Sequence, residues 1–245
     1  MAFDSDKHKA IVSEDGSYTA YSKEFDEHYH STKDGALHES LSKHVLPALK
    51  HTQDRDEIVI LDICFGLGFN TFATLLHIQK EKNLIIYSPE FDVELIESLK
   101  DFTYPKEFEK FRDIIFDLAT NKKYESPNLN IYLFIGDARE FVRDTKVKFD
   151  VVYQDAFSPS SNPLLWTKEY FRDIEKLMKE DAILTTYSIS LPTRIALYEN
   201  GLNVFLHTGN GFRSSTLASK SSLDYEKVDV IHKMNCNPTV TSLKD

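Results

Sequence analysis

Five apolar runs of strand length, separated by segments with helical periodicity, constrain the fold of this 245-residue chain more than any other feature. The runs cover residues 58–62, 84–87, 131–135, 150–154 and 182–187. Continuous apolar runs of this length are typical of strands that are buried on both faces. Helical patterns lie between them at residues 70–80, 93–99 and 165–179. This alternation predicts a doubly wound α/β fold with a mostly parallel sheet.

We predict one domain with two additions, since no Gly/Ser linker, internal repeat or low-complexity segment divides the 245 residues. The sheet and its helices are expected within residues 57–232. Residues 101–128 form a charged, helical insertion between the second and third predicted strands. Residues 1–50 form an N-terminal extension, in which residues 18–21 resemble a short strand and residues 37–49 a helix.

The net charge of −10 argues against broad, charge-driven binding to nucleic acid, because contacts to phosphates need Lys and Arg side chains. Arg194, Arg213 and Lys220 lie in the C-terminal third, where a local basic patch can form. The simpler interpretation, that they are scattered solvated charges, is favoured.

Composition and the N-terminal segment also predict where the protein resides. No apolar stretch approaches the roughly 18 residues of a membrane-spanning helix, and the N-terminal segment lacks the apolar run of a signal peptide. We therefore expect a cytoplasmic protein without a membrane partner. The two cysteines, Cys64 and Cys236, are predicted to be reduced thiols.

The loop that follows the first predicted strand, residues 62–70, has the features of a cofactor site. Gly66 and Gly68 allow a tight turn and a close approach of the backbone to a ligand. Thr71 replaces the third glycine of the dinucleotide-binding pattern, and the carboxylate of Asp62 would repel a pyrophosphate. That carboxylate favours the ammonium group of S-adenosylmethionine, whereas the alternative is a plain glycine turn beside a solvated aspartate.

Two further acidic residues follow the next two predicted strands. Glu90 occupies the position at which a carboxylate binds the ribose hydroxyls of an adenosine cofactor. Asp137 and Ala138 follow the third strand, where a side-chain oxygen and a backbone N–H can bind adenine. The structural alternatives are turn or helix-capping roles, and Asp92 can cap the helix after Glu90 instead. These sites end consecutive strands at one edge of the sheet, where open α/β sheets bind ligands.

The stretch from Asp155 to Trp166 is the most specific motif of the chain. It reads Asp-Ala-Phe-Ser-Pro-Ser-Ser-Asn-Pro-Leu-Leu-Trp and begins where the fourth predicted strand ends. Asp155 is therefore predicted to face the reacting methyl group of a cofactor held by the preceding loops. Phe157 and Trp166 either shape a pocket for a base or pack in the core, and packing is favoured for Trp166.

These motifs resemble those of the methyltransferase domain of the bifunctional tRNA 5-methylaminomethyl-2-thiouridine biosynthesis protein MnmC and of its stand-alone form. The pattern Asp-x-Phe-x-Pro-x-x-Asn-Pro-x-x-Trp is intact over residues 155–166, and the glycine pattern covers residues 62–70 with Cys64 in place of its first glycine. Further family signatures match residues 25–29, 33–35 and 209–215. The resemblance covers nearly the whole chain, and the family's flavin-binding oxidase domain is expected to be absent.

The resemblance implies a class I, Rossmann-like methyltransferase fold and a tRNA-modifying activity. A methyl group from S-adenosylmethionine would pass to the amine of 5-aminomethyl-(2-thio)uridine at the wobble position of tRNA, and the enzymes that make this precursor would be functional partners. Asp155 would be the catalytic residue, either as a general base or as an orienting group. The cofactor-binding residues would be Asp62, Phe65, Gly66, Gly68, Asn70, Glu90, Asp137 and Ala138. The substrate-binding residues would be Phe157, Pro159 and Arg213.

Three other functions fit parts of the same pattern. An aminopropyltransferase similar to spermidine synthase shares the fold and the acidic loop ends, and its polyamine acceptor suits an acidic protein. A small-molecule amine methyltransferase lies between that hypothesis and the tRNA-modifying one. The intact motif at residues 155–166 argues against a non-catalytic binding module. His28 and His30 lack a third ligand with suitable spacing, so no metal site is predicted, and Cys64 is assigned no redox role.

Overall fold

The computed structural model describes residues 3–79 and 81–245. Met1 and Ala2 of the predicted N-terminal extension, and Lys80 at the end of the predicted helix 70–80, lie outside the described residues. The strands are, in chain order, β1 (His8–Val12), β2 (Tyr18–Ser22), β3 (Glu27–His28), β4 (Glu57–Ile63), β5 (Asn83–Glu90), β6 (Lys123–Ser126), β7 (Leu129–Ile135), β8 (Phe149–Gln154), β9 (Met178–Thr186), β10 (Asn203–His207), β11 (Ser215–Ser219) and β12 (Glu226–Lys227).

Helices cover both faces of the main sheet. The α-helices are α1 (Ala36–Ser40), α2 (Leu46–His51), α3 (Phe69–His77), α4 (Val93–Ser98), α5 (Arg112–Asn121), α6 (Ala138–Asp144), α7 (Lys168–Leu177), α8 (Leu191–Glu199) and α9 (Val230–Cys236). A π-helical turn (Leu41–Val45) joins α1 to α2, and 3-10 helices span Leu99–Asp101, Lys106–Phe111 and Pro163–Trp166. Within the described segments, no helix combines the length and apolar character needed to cross a membrane. Cys64 and Cys236 are free thiols, as predicted.

A mixed sheet with the strand order β12-β10-β11-β9-β8-β4-β5-β7-β6 forms the centre of the molecule. Its middle strands β7, β5, β4, β8 and β9 run parallel and coincide with the five predicted strands. The doubly wound α/β fold is thereby confirmed. The prediction of a mostly parallel sheet holds only for this centre, because β6, β11, β10 and β12 pair antiparallel at the two edges. Two of these pairs, β6 with β7 and β10 with β11, are joined by connections too short for a crossover and form hairpins.

The parallel strands are buried on both faces, as their continuous apolar runs predict. Along β4, Ile58 and Ile60 join the apolar cluster that contains Phe72 of α3. Leu61 points to the opposite face and joins the cluster that contains Phe171 of α7. Two apolar cores therefore lie on either side of one sheet, and both fix the strands whose carboxyl ends carry the predicted site residues.

The predicted helix at residues 165–179 is wrong at both ends. Trp166 belongs to the 3-10 helix Pro163–Trp166, and α7 begins only at Lys168 because the Thr167 hydroxyl caps it by accepting from Tyr170 N. The helix ends at Leu177, and β9 begins directly at Met178, four residues before the predicted strand at 182–187. The apolar pattern of the helix continues past Leu177 because Met178 is also buried. Its burial comes from strand β9, but in the sequence it fits the helical periodicity.

The segments outside the parallel centre contain strands that periodicity did not reveal. The predicted helical insertion contains α5 but also β6, which pairs antiparallel with β7. In the N-terminal segment, the predicted strand at residues 18–21 is β2, the middle of a separate three-stranded sheet with β1 and β3. The predicted helix at residues 37–49 is present but is interrupted by the π-helical turn Leu41–Val45.

A buried carboxylate fixes strand β8 between its neighbours. Asp150 is fully buried, and its Oδ2 accepts from Val59 N of β4 and from Lys179 Nζ of β9, each at 2.8 Å. Its Oδ1 accepts from the Arg55 guanidinium. One side chain thereby ties three strands together near the start of β8, and the register it fixes determines where Asp155 emerges at the other end.

We expect Asp150→Ala to lower the free energy of unfolding by about 3 kcal/mol, because one buried backbone donor and two cationic side chains lose their acceptor. Urea denaturation followed by circular dichroism measures this loss. Glu125→Ala is the control, since it removes only exposed contacts, an ion pair with Lys123 and a hydrogen bond from the Tyr132 hydroxyl, and should leave the midpoint nearly unchanged. Equal effects of the two substitutions would contradict the structural role of Asp150.

Candidate functional site

A cleft of about 650 Å³ lies over the carboxyl ends of the parallel strands. Strand β4 lies between β5 and β8, so the chain leads away from β4 on both sides. This reversal of strand order opens a crevice at the carboxyl edge, the usual ligand site of such sheets. The volume is in the range of roughly 300–1,000 Å³ that small-molecule sites occupy. The N-terminal three-stranded sheet lies on the far side of the cleft and contributes Phe25, Tyr29 and His30 to its wall.

The glycine loop after β4 presents its backbone to this cleft. Gly66 has a positive φ of 56°, and a β-carbon there would lie 3.1 Å from Cδ1 of Tyr29 across the cleft. Cys64 also has a positive φ, 63°, although it occupies a position where the family pattern has glycine. A β-carbon on Gly68 would instead collide with the rings of Phe65 and Phe72, which pack edge to face behind the loop. Direct contact of Phe65 and Gly68 with a ligand therefore stays a prediction.

Asp62 ends β4 beneath the loop and is almost fully buried. Its Oδ2 accepts a 2.8 Å hydrogen bond from the Thr71 hydroxyl, which explains the threonine in place of a third glycine. Its Oδ1 is buried and has no hydrogen-bond partner among residues 3–79 and 81–245. Burial raises the pKa of Asp62 to about 7. The structural alternative of a solvated aspartate is therefore excluded, and a cationic ligand group would stabilise the ionised form of Asp62.

Glu90 lines the cleft after β5 and is held by two backbone donors. Its Oε2 accepts from Gly66 N and its Oε1 from Asp92 N, both at 2.9 Å. Burial raises the pKa of Glu90 above the usual value for a glutamate. Asp92, not Glu90, caps α4 by accepting from Leu95 N at 3.0 Å. The capping alternative for Glu90 is therefore excluded, and its carboxylate connects the loops after β4 and β5.

Asp137 and Ala138 lie side by side in the cleft wall after β7. Asp137 also caps α6, since its Oδ1 accepts from Arg139 N at 2.7 Å. The structural alternative considered for Asp137 is therefore realised, while its exposed position in the cleft leaves the predicted ligand contact open to test.

Asp155 follows β8 and faces the cleft with a side chain that is 18% exposed. Its Oδ2 accepts a 2.8 Å hydrogen bond from Asn70 Nδ2, which comes from the first turn of α3. His44 Nε2 lies 3.3 Å from Oδ1, close enough to attract the carboxylate but not aligned for a hydrogen bond. Burial by itself would raise the pKa of Asp155, but His44, His30 and Asn70 outweigh it and hold that pKa well below the usual range. Asp155 is thus an ionised carboxylate at neutral pH.

Aromatic rings surround the mouth of the cleft beside Asp155. Phe157 stacks on Phe25 with ring centroids 4.8 Å apart, and it meets the edge of Tyr29 at 5.0 Å. Trp166 is fully buried and donates from Nε1 to the Phe157 carbonyl at 2.8 Å, so the core-packing interpretation is confirmed for it. Pro159 is half-buried in the same loop, and the structure does not place it in the cleft wall.

The predicted basic residues do not form a common patch. Arg194 is 7% exposed, and its Nε donates to Thr216 at 3.0 Å, so it is neither solvated nor available to a phosphate. Lys220 Nζ binds Glu175 at 2.8 Å. Arg213 alone borders the cleft, with its side chain 77% exposed and its Nε 3.8 Å from Asp34.

The N-terminal sheet supplies site residues that the motifs did not indicate. His8 Nε2 lies 3.0 Å from Asp92 Oδ2, and the Tyr29 hydroxyl lies 3.3 Å from His8 Nδ1. On the other side of the cleft, Glu27 accepts from Ser158 N at 3.0 Å. The family signature at residues 25–29 marks this wall of the cleft in the sequence. The signature does not show which contacts the residues of the wall make.

Histidines 28 and 30 do not share a ligand site. His30 is buried and its Nδ1 lies 3.2 Å from the Thr19 hydroxyl, whereas His28 is exposed and packs on Tyr21. Among residues 3–79 and 81–245, no group of three His, Cys, Asp or Glu side chains is arranged to hold a metal ion.

The cleft is strongly acidic, which restricts the ligands that it can bind. Three cationic side chains border it: Lys33, Arg139 and Arg213. The acidic residues that line it are Glu24, Glu27, Glu39, Glu90, Asp92, Asp137 and Asp155. One of the cations, Arg139, is engaged with Asp245 at 2.5 Å. This distribution favours a cationic or neutral ligand over an anionic one.

Comparison with known proteins gives consistent matches over this fold and site. Residues 105–222 match the family model of an S-adenosyl-L-methionine-dependent methyltransferase. The crystal structure of MnmC2 from Aquifex aeolicus superposes with a TM-score of 0.86 at 30% sequence identity, covering 99% of this chain and 80% of that one.

Two protein sequences extend the comparison. An uncharacterized protein of Methanocaldococcus jannaschii is 34% identical over 220 residues, which are 88% of this chain and 60% of that protein. The tRNA 5-methylaminomethyl-2-thiouridine biosynthesis bifunctional protein MnmC of Azoarcus sp. is 28% identical over 224 residues, 84% of this chain. The chain spans only 34% of the length of that bifunctional protein.

We expect Gly66→Ala to weaken the binding of S-adenosylmethionine by about tenfold or more, because the new β-carbon displaces Tyr29 within the cleft. Isothermal titration calorimetry measures the dissociation constant. Gly201→Ala is the matched control, since Gly201 also has a positive φ, 81°, but a β-carbon there meets nothing within 4 Å. Comparable weakening in both variants would attribute the effect to backbone strain and not to the cleft.

A second prediction concerns the pH dependence of stability without cofactor. Because the pKa of Asp62 is raised to about 7, its contribution to stability is complete below roughly pH 4 and is lost as the pH rises through about 7. Asp62→Asn removes this dependence. The free energy of unfolding of the variant, relative to wild type, should therefore rise between roughly pH 4 and pH 7 and then stay level. Urea denaturation across this range would contradict the assignment if the difference did not change with pH.

Proposed function

The chain belongs to the family of S-adenosylmethionine-dependent methyltransferases that includes MnmC2, and we propose that its acceptor is the exocyclic amine of 5-aminomethyl-uridine, or of its 2-thio form, at the wobble position of tRNA. The names of the MnmC relatives support this substrate class. The single observation that carries the proposal is Asp155, an ionised carboxylate that faces an acidic cleft beside the glycine loop. A carboxylate in this position suits an amine acceptor.

The residues around the glycine loop fit S-adenosylmethionine, which supplies an electrophilic methyl group when bound. The backbone of Gly66 leaves space in the cleft that a β-carbon would fill. The buried, unpartnered Oδ1 of Asp62 suits the ammonium group of a methionine moiety. Glu90 keeps acceptor capacity on both oxygens after its two backbone hydrogen bonds, which suits ribose hydroxyls. We assign Asp137 and Ala138 to the adenine.

The remaining loop residues are assigned a shaping role. Phe65 and Gly68 pack against Phe72 and hold the turn in its left-handed conformation. Asn70 begins α3 and donates to Asp155, so it links the cofactor loop to the acceptor side of the cleft. These residues would support the bound cofactor indirectly, because they fix the backbone of the loop at residues 62–70.

In the reaction, the neutral amine nitrogen uses its lone pair to form the new N–C bond, while the C–S bond breaks and its electron pair stays on sulfur. Positioning of the two reactants supplies most of the rate enhancement of such a displacement. Asp155 accepts an N–H of the amine and directs its lone pair toward the methyl group. The low pKa of Asp155 makes it a weak proton acceptor, so we assign the proton to water at the open mouth of the cleft.

We assign the uridine nucleotide to the space between the aromatic rings of Phe25, Tyr29 and Phe157 and the exposed rim of the cleft. Phe157, backed by Phe25 and with Pro159 in the same loop, provides the surface on which a uracil ring can stack. Arg213 and Lys33 lie at the rim, where they can contact phosphates of the tRNA. The carboxylates of the cleft would repel the carboxylate of the carboxymethylaminomethyl form of the nucleotide. Enzymes that produce the uncharged or cationic aminomethyl form are therefore the expected functional partners.

Purified protein supplied with S-adenosylmethionine should convert aminomethyl-uridine in tRNA to methylaminomethyl-uridine without added flavin. Nucleoside mass spectrometry of the digested tRNA detects this product, and tRNA that carries the carboxymethylaminomethyl precursor should stay unchanged. If tRNA were inert while putrescine received an aminopropyl group, the protein would be an aminopropyltransferase. Methylation of free amines with tRNA inert would identify a small-molecule methyltransferase.

Substitution of Asp155 tests the assignment of the acceptor side. Asp155→Ala should lower turnover by about 10²-fold or more, the scale of a positioned acid/base or orienting group. The affinity for S-adenosylmethionine should change by less than about tenfold, since Asp155 acts on the acceptor. Asp155→Asn keeps the size and an acceptor oxygen but removes the charge, and its turnover shows whether charge or geometry matters. Near-normal turnover of Asp155→Ala would make Asp155 a structural residue only.

A further inference from the structure

His44 is the most deeply buried titratable group beside Asp155, and no motif of the sequence contains it. Its side chain is fully buried, and its ring packs edge to face with Tyr153 of β8 at a centroid distance of 6.0 Å. It lies in the π-helical turn Leu41–Val45 between α1 and α2. Such turns widen a helix locally and often occur at functional sites. The turn places His44 at the end of β8, beside Asp155, the first residue of the motif at residues 155–166.

One ring nitrogen of His44 is fixed by Thr185 of β9. His44 Nδ1 lies 2.9 Å from the Thr185 hydroxyl oxygen, and both side chains are fully buried. Within residues 3–79 and 81–245, His44 is the only hydrogen-bond partner of that hydroxyl. If the threonine donates to Nδ1, both groups are satisfied. If Nδ1 carried the proton, the buried hydroxyl hydrogen would have no acceptor in this part of the chain, an unfavourable state.

This hydrogen bond determines what His44 presents to Asp155. With Nδ1 as an acceptor, the proton of the neutral ring is on Nε2, which lies 3.3 Å from Asp155 Oδ1. The other carboxylate oxygen, Oδ2, accepts from Asn70 at 2.8 Å. The two donors therefore approach Asp155 on different oxygens, and each oxygen keeps acceptor capacity that faces the cleft. Catalytic hydrogen bonds of this kind are often long before the acceptor binds and shorten in the reactive complex.

We infer that His44 is a positioning residue for the methyl transfer: Thr185 holds it with the proton on Nε2, and together with Asn70 it fixes the carboxylate of Asp155 on the acceptor amine. The functional half of this inference rests on the proposed amine methylation. The structural half, the tautomer of His44 and its cause, does not depend on the identity of the acceptor.

The tautomer can be measured without any substrate. Nitrogen-15 NMR of the full chain with labelled histidine, assigned with the His44→Asn variant, should show that the neutral form of the His44 ring carries its proton on Nε2. Thr185→Val removes the donor to Nδ1 and should produce a mixture of tautomers or a shift to the Nδ1–H form. Thr52→Val is the matched control, because it removes an equally buried hydroxyl that bonds Ala48 O outside the site, and it should leave the His44 signals unchanged. A neutral wild-type ring that carries its proton on Nδ1 overturns the inference.

Kinetics test whether His44 acts through Asp155. His44→Asn keeps an amide near Thr185 but loses the group that faces Asp155, and it should lower turnover by about tenfold or more. His44→Gln can place an amide nitrogen near the former Nε2 and should recover most of that loss. The affinity for S-adenosylmethionine, measured by calorimetry, should change by less than about threefold in both variants. Loss of affinity in place of turnover, or equal loss in Asn and Gln, would show a packing role and overturn the inference.

A double-mutant cycle tests whether His44 affects turnover through Asp155. In the Asp155→Ala background, His44→Asn should cause no further loss of turnover, because the group that it positions is already gone. Additive losses would show that His44 acts independently of Asp155 and overturn the inference. Thermal unfolding identifies any variant that fails to fold. In that case the NMR measurement on the wild-type protein still tests the tautomer of His44. An inactive wild-type protein with aminomethyl-uridine tRNA would reject the proposed substrate, whereas the tautomer measurement would still test the arrangement.

Discussion

Strand β8 is held at its start by one carboxylate and carries another just beyond its end. Asp150 accepts from the backbone of β4 and from cationic side chains on either side, so the register of β8 against its neighbours is fixed by hydrogen bonds in the interior. Asp155 emerges about one strand length further on, where Asn70 and His44 reach it from α3 and from the π-helical turn. The site is therefore a consequence of strand register, since a shift of one residue would turn Asp155 away from the cleft.

The N-terminal sheet joins the cofactor side and the acceptor side of the cleft into one wall. His8 and Tyr29 connect it to Asp92 after β5, while Glu27 accepts from the backbone of Ser158 in the catalytic loop. The ring of Tyr29 lies against the space left by Gly66 and also against Phe157. Movement of this sheet would change both halves of the cleft together, so its packing on the core fixes the geometry of both.

Two aspartates at the ends of adjacent strands have opposite electrostatic environments. Asp62 is buried, one of its oxygens has no hydrogen-bond partner in the described part of the chain, and burial raises its pKa to about 7. Asp155 is also largely enclosed, yet His44, His30 and Asn70 lower its pKa well below the usual value. A cation that reaches Asp62 would relieve the cost of ionising it, whereas Asp155 is ionised already and, in the proposed reaction, would orient an uncharged amine. The two aspartates therefore differ in pKa because of their neighbouring groups and not because of the type of residue.

The sequence by itself determined the five central strands, the loops that follow them and the positions of Asp62, Glu90, Asp137 and Asp155 at their carboxyl ends. It did so because apolar periodicity and glycine placement are local properties of the chain. The antiparallel edge strands β6, β10, β11 and β12 and the boundary at Thr167 were not predicted, since strand pairing and helix capping depend on residues that are distant in sequence or outside the apolar pattern. Tertiary structure alone decided that Arg194 is buried, that Trp166 only packs, and that Arg213 remains at the rim. It also decided that His44 and Thr185, separated by 141 residues, meet beside Asp155, because side-chain contacts between distant segments arise only when the folded core brings them together.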